Sequence, residues 1–339
     1  MHSCLFTWIV GLGLIGTAEA GPLARYEFVQ IHMGVPFEIV LYAPNEAAAN
    51  TAADAAYARI EELDDLLSDY DPDSELSRLS RSSEHGRPVE VSEELLFVLS
   101  RAVELSKRSN GAFDVTVGPV VKLWRTARRT KRMPMETDLK EALQRVGWRH
   151  VQIDRDAGTV ALIKPGMQLD LGGIAVGYAA DEALRVLKEH GITRALVDGS
   201  GDISVSDPPP GRDGWRIGIA ALTEPDARPT RFVQLKNAAI STSGDAFQHV
   251  EIDGVRYSHI VDPKTGLGLT TRSSVTVIAA DGLTADSLAS AVSVLGPERG
   301  LELIEKTPGA AALFVQLKDG KPQVLESQRL SKFEIERGN

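Results

Sequence analysis

A chain of 339 residues that is 43% hydrophobic can bury a large core, as one big domain or two, and no disorder-like stretch interrupts it. Its formal charge of −10 argues against a nucleic-acid partner. The single cysteine, Cys4, lies in a segment that reads as removable, so the mature chain is expected to lack disulfides, thiolate metal sites and a cysteine nucleophile alike.

Residues 4–16 form a short apolar core, followed by Thr17-Ala-Glu-Ala20, in which Ala18 and Ala20 fit an A-x-A cleavage pattern. An export signal over residues 1–20 is predicted, leaving residues 21–339 as the mature chain in the periplasm. The apolar stretch falls short of the roughly 20 residues of a membrane span. Cys4 stands at the start of the apolar core instead of following it, so no lipid anchor is expected.

Strands are predicted over residues 26–32 and 37–42, around the turn Met33-Gly-Val-Pro36. Asn45 then caps an Ala-rich amphipathic helix that runs to about Leu67. Ser68-Asp-Tyr-Asp-Pro-Asp-Ser-Glu75 is too polar for a core element, and its one aromatic, Tyr70, is expected to be partly buried. A second helix over residues 92–109 stops at Asn110-Gly111. Arg125, Arg128, Arg129, Lys131 and Arg132 form a cationic knot that reads first as a solvated helix face.

From about His150 the pattern turns to strands, at residues 151–153, 159–163 and 167–171. The helix after Gly173 runs to His190 and returns to a strand at 195–197, as a βαβ-like unit would. Further strands fit 215–219, 231–235, 250–252, 257–261 and 275–280, then helices at 285–294 and 297–305, then a strand at 311–317. The loop Ser206-Asp-Pro-Pro-Pro-Gly-Arg-Asp-Gly214 is linker-like, although the strands beside it look like parts of one sheet. A helix-rich first half and a strand-rich second half indicate an α+β fold, two-lobed, with a mixed or antiparallel sheet and flanking helices.

Residue by residue, the chemistry is ambiguous. In Leu169-Asp-Leu-Gly-Gly-Ile-Ala-Val-Gly-Tyr178 an apolar run opens through glycines into a helix, whose N–H groups suit an anion. Asp170 there either caps the turn or holds a polar ligand group. Asp286 and Ser290 stand four apart on one helical face, as a simple helix pair or as oxygen ligands of a hard divalent cation. The absence of an H-E-x-x-H pattern points away from zinc. His259, in Ser258-His-Ile-Val-Asp-Pro-Lys-Thr-Gly266, is either a structural turn histidine or a proton acceptor. Asp198-Gly-Ser-Gly-Asp202 and Ser241-Thr-Ser-Gly244 are glycine turns with the same double reading.

Taken in order, Met33-Gly34, Tyr70, Gly111-Ala-Phe-Asp114 with Thr116-Val-Gly-Pro119, Asp170 to Tyr178, Gly199-Ser-Gly-Asp202, Ser241 to Gly244, His259 to Gly266 and Asp286 to Ser290 resemble the ApbE family of flavin transferases over nearly the whole mature chain. The resemblance implies that FAD is the substrate, bound by Met33, Tyr70, Ala112, Phe113, Asp114, Asp170, Val176, Ser243 and Val261. It implies Mg²⁺ on the Gly173 carbonyl, Asp286 and Ser290, with His259 and Asp286 catalytic. The implied reaction moves FMN to a threonine of an acceptor protein carrying a Ser/Thr-Gly-Ala-Thr-like motif, with release of AMP. A subunit of a membrane-associated redox complex would be a natural acceptor. Three departures stand out: Val176 where many members have Lys, Ser290 for a common Thr, and Gly-Ser-Gly-Asp for Gly-Gly-Asn/Asp. The nucleophile is not in this chain, so the residues leave hydrolysis of FAD to FMN and AMP open, as well as flavin binding without turnover.

Overall fold

The computed structural model describes residues 22–222, 229, 231–244 and 248–335; the expected export signal lies outside the described residues. The chain opens with a hairpin of β1 (Ala24–His32) and β2 (Val35–Ala43), closed by the two-residue turn Met33-Gly34. Both turn residues have positive φ, 51° and 74°, the twist that suits a tight hairpin. A methionine is strained there, and its N–H is held by the Asp64 carboxylate at 2.7 Å. That carboxylate belongs to α1 (Glu46–Leu67), which Asn45 caps through Ala48 N and which buries Ala49, Ala52, Ala53, Ala56, Ile60 and Leu63 along one stripe.

Four helices follow: α2 (Glu75–Ser82), α3 (Glu93–Arg108), α4 (Gly118–Thr130) and α5 (Glu136–Leu143). Among them, β3 (Val89–Glu90), β4 (Val151–Asp154) and β5 (Thr159–Leu162) make a small antiparallel sheet. Next come α6 (Ala175–Glu189), β6 (Ala195–Gly199), β7 (Asp202–Val205), β8 (Trp215–Ile219), β9 (Arg231–Leu235), β10 (Ala238–Gly244), β11 (His249–Ile252), β12 (Val255–Ser258) and β13 (Ser273–Ala279). The chain finishes with α7 (Gly282–Glu305), β14 (Ala311–Lys318), β15 (Lys321–Glu326) and β16 (Glu334–Ile335).

The eight-stranded sheet runs β1-β2-β6-β7-β10-β13-β14-β15, every pair antiparallel. Alternate residues point to opposite faces of a strand, and both faces of this sheet are covered. Phe37, Ile39, Leu41, Val197, Val275 and Val277 pack toward α1, α6 and α7. Val40, Val205, Ile240 and Ile278 pack on the opposite side against Trp215, Ile217, Val233 and Leu235 of a three-stranded sheet, β16-β9-β8. A separate, smaller core joins α4 and α5 to β11 through Val120, Trp124, Leu139, Val250 and Val261.

The α+β class, with antiparallel sheets and flanking helices, is what the sequence indicated. Two details differ. Residues 167–171 are extended but not a strand: Leu169 N bonds to Ser80 Oγ and Asp170 N to Val115 O, so a buried apolar alternation is satisfied by loops and a side chain instead of a ladder. The βαβ-like unit therefore does not form, and β6 is antiparallel to both neighbours. The linker-like loop after Val205 joins two different sheets that pack face to face. The two predicted helices at 285–294 and 297–305 are present, as the two halves of α7, which breaks at Gly296 (φ 75°) and restarts at Pro297, a residue suited to a helix's first turn.

Candidate active site

A cleft of about 630 Å³ opens where the β1–β2 turn, the loop after α1, α4, the turn before α6, the loop after β12 and α7 converge. Met33, Tyr70, Ala112, Phe113, Asp114, Asp170, Gly173, Val176, His259, Val261 and Ser290 all line it. Residues from six chain segments, singled out one by one in the sequence, thus share one wall. Asp286 lies buried one helical turn before Ser290. Ser243 does not line the cleft; it sits on β10 opposite Val275.

At the inner end, the crossing of α6 and α7 sets the geometry. A Cβ on Gly177 would stand 2.2 Å from the Gly282 carbonyl oxygen, and one on Gly282 would stand 2.4 Å from that of Gly177. Only glycine at both positions lets the two backbones touch. Their contact brings Asp286 Oδ2 to 3.3 Å from Gly177 N. One turn further along α7, Ser290 Oγ lies 2.8 Å from where a Gly173 Cβ would be. The expected array of free N–H groups is mostly spent internally. Gly172 N donates to Asp170 Oδ1, Ile174 N and Ala175 N to Leu171 O, and Gly177 N to Asp286. The aspartate and the helix entry consume the donors that sequence reasoning left for an anion.

Negative charge is concentrated beneath this crossing. Burial, reinforced by the Asp202 and Asp181 carboxylates, pushes the Asp286 carboxyl well above its usual range, against one hydrogen bond from Gly177. Asp202 is likewise raised, by burial first and by Asp198 second, although Ser241 donates to it. Asp181, which accepts from Gly282 N, Leu283 N and Ser204 Oγ, is pushed up to about 6 by burial. Asp202 and Asp181 were not among the expected site residues. The Gly-Ser-Gly-Asp turn that carries Asp202 was the available signal.

Asp114 is pinned in place. Its Oδ1 accepts from Thr116 N at 2.9 Å and from Thr116 Oγ1 at 2.6 Å, and its Oδ2 from Trp148 N at 2.9 Å. Burial nevertheless raises its pKa. Phe113, with its N–H on Ser109 Oγ, reaches to 3.5 Å from the Gly173 Cβ position. His259 follows β12, its Nδ1 3.1 Å from the Gln248 carbonyl. A carbonyl only accepts, so Nδ1 carries the hydrogen, and the basic lone pair of the neutral ring is on Nε2. The turn after it is fixed by Gly266 N on Asp262 O and by Trp124 Nε1 on Gly266 O at 2.7 Å.

At the outer end two sequence expectations fail. Tyr70 is 75% exposed instead of partly buried. Arg125, read as part of a solvated face, is a wall of the cleft: its guanidinium lies 4.0 Å from the Tyr70 ring centroid and pairs with both Asp69 and Asp170. The polar loop folds back over α4, bringing Asp69 and Tyr70 to it, a long-range contact that helix-face periodicity does not encode. Asp170 is raised by burial and by Asp69, with Arg125 opposing.

A cleft that has the aromatic side chains Tyr70 and Phe113 in its lining, and that reaches a helix crossing with a hydroxyl and a buried carboxyl group, has the makings of an enzyme site. The chain belongs to the ApbE family, whose model matches residues 33–314. A "FAD:protein FMN transferase" from Treponema pallidum is 33% identical over 334 residues, covering 92% of each chain. One from Vibrio cholerae is 34% identical over 322 residues, covering 92% of this chain and 95% of the relative. The structure of "Flavin Transferase ApbE from Vibrio cholerae" superposes with a TM-score of 0.83 at 31% identity, over 92% of this chain and 100% of that one.

Proposed function

We propose that this protein is an exported, Mg²⁺-dependent FAD:protein FMN transferase that attaches FMN through a phosphoester to a threonine of an acceptor protein and releases AMP. The observation that carries this reading is the meeting, in one cleft, of Tyr70 and Phe113 with Gly173 and Ser290, one helical turn from the buried Asp286. The relatives' shared activity supplies the chemistry that such a cleft supports.

The residues fit a magnesium ion. Asp286 is a buried carboxyl group acted on by two further acids, Asp202 and Asp181, an arrangement that a cation would relieve. Among the described residues no three His, Cys, Asp or Glu side chains cluster to hold a metal. The donors that the family resemblance implies are one carboxylate, the Ser290 hydroxyl and the Gly173 carbonyl, a sparse oxygen set that leaves positions for water and phosphate, as Mg²⁺ prefers. When bound, the ion would neutralise charge on the diphosphate oxygens.

The chain's own groups do the remainder. Tyr70 and Phe113 would flank the isoalloxazine ring. The hairpin turn at Met33, held by Asp64, would close the slot from the side of β1 and β2. His259 Nε2 would accept the proton of the attacking threonine hydroxyl as the new ester bond forms and the AMP phosphate departs. Val176 brings no charge to the wall, so binding would rest on the slot and the metal end. The test is release of AMP from FAD with Mg²⁺, with and without an acceptor bearing a Ser/Thr-Gly-Ala-Thr segment. AMP without free FMN, and only with acceptor, is the expected result. Equal FMN and AMP in both arms would show hydrolysis, and intact FAD would show a binding protein.

A further inference from the structure

We propose that Arg125 is a positioning residue of this cleft, which holds the ring of Tyr70 as the slot's outer wall and ties that wall to Asp170 before any ligand arrives. The proposal rests on the flavin reading above.

Tyr70 is a large aromatic with 75% of its surface exposed, in a loop whose local support is Tyr70 N on Ser68 Oγ at 3.2 Å. Core packing therefore does not orient the ring. What lies against it is a guanidinium, 4.0 Å from the ring centroid, within the range of a cation–π contact. The same guanidinium donates Nη1 to Asp69 Oδ2 at 2.5 Å and Nη2 to Asp69 Oδ1 at 3.1 Å, a bidentate fork, and Nη2 also to Asp170 Oδ2 at 3.0 Å. One planar cation thus links the loop after α1, α4 and the turn that opens α6.

The side chain satisfies this clamp at its own expense: its Nε is buried without a hydrogen-bond partner. An ammonium cannot reproduce the arrangement, since lysine has neither the fork for Asp69 nor a flat face for the ring. Asp69 anchors the fork from the residue next to Tyr70, so the tyrosine's backbone and ring are fixed by the same pair.

The experiment measures FAD affinity, flavin fluorescence at saturation and FMN-transfer kinetics for wild type, Arg125→Met, Arg125→Lys, Asp69→Asn, Tyr70→Leu and the Arg125→Met/Tyr70→Leu double variant. Arg125→Met is expected to weaken FAD binding about tenfold, as loss of a cation–π contact and a bidentate anchor would. The transfer rate at saturating FAD is expected to stay within about threefold, which places the effect in KM and not in kcat. Emission quenched by Tyr70 in the wild type should partly return, Arg125→Lys should not restore binding, and Asp69→Asn should shift it in the same direction. The double variant should bind no more weakly than Tyr70→Leu alone, because Arg125 acts through the ring. Unchanged affinity and fluorescence in a folded Arg125→Met variant, or additive losses in the double variant, would overturn the proposal while leaving the flavin reading intact. A wild-type protein that does not bind FAD would overturn both.

Discussion

Substituting Gly177 by alanine should separate the fold's needs from the site's. The new Cβ would lie 2.2 Å from Gly282 O, 2.5 Å from Gly282 C and 2.9 Å from Asp286 Cβ. Two of these are main-chain atoms that cannot rotate away, so α6 and α7 must part by roughly 1 Å to reach ordinary contact. Overpacking of this kind costs about 1–3 kcal/mol, and alanine's better helix propensity returns about 1 kcal/mol. The net loss of stability should thus be modest, about 0–2 kcal/mol. The consequence for the site should be larger. Parting the helices carries Asp286 away from Gly177 N and from the Gly173 turn, and a misplacement of roughly 1 Å costs on the order of a hundredfold in rate. Urea denaturation and AMP release from FAD would be measured side by side, with Lys188→Ala, on an exposed part of α6, as the neutral control. Turnover within threefold of wild type in Gly177→Ala would refute the claim that the glycine crossing sets the position of Asp286.

Replacing Asp181 by asparagine should change the pH dependence of stability in the metal-free protein. The folded pKa, about 6, lies above the ordinary 3.8, so this group's contribution is fully present below about 3.8 and is lost as pH rises through about 6. Urea midpoints of the wild type should therefore fall over that window more steeply than those of Asp181→Asn; parallel curves would contradict the assignment. Trp124→Phe removes the donor to Gly266 O, a buried bond of 2.7 Å, and should cost about 1–3 kcal/mol in urea denaturation. It should also slow transfer more than it weakens FAD binding, because the turn it anchors follows His259. Equal stability and rates would show that the turn holds without it.

The fold class and most of the residues that share the cleft were legible in the sequence, whereas the strand connections and the long-range side-chain pairings were not. Asn45 as a helix cap, the Asn110-Gly111 stop and the strands at 215–219 and 231–235 were legible because local chemistry alone fixes them. The buried stretch at 167–171 was not, since alternating apolar residues look alike in a ladder and in an extended loop pinned by Ser80 Oγ. The order of motifs pointed to Gly173, Asp286 and Ser290, which the α6–α7 crossing then brings together. Arg125 was misread because its partners, Asp69 and Asp170, are 56 and 45 residues away and its helix also carries Arg129, which does face solvent. Pairings made by tertiary folding leave no periodic trace, and Asp202 beneath Asp286 was missed for the same reason.

The central claim, that the Gly173–Asp286–Ser290 end of the cleft drives flavin transfer, is tested most directly by the intact mass of an acceptor protein after incubation with this enzyme, FAD and Mg²⁺. The account predicts a gain of one FMN on the acceptor, lost when its target threonine is replaced by alanine, when Mg²⁺ is chelated, or when Asp286 is replaced by alanine. An acceptor modified equally well by the Asp286→Ala enzyme, or left unmodified by a wild-type enzyme that cleaves FAD to free FMN and AMP, would contradict it.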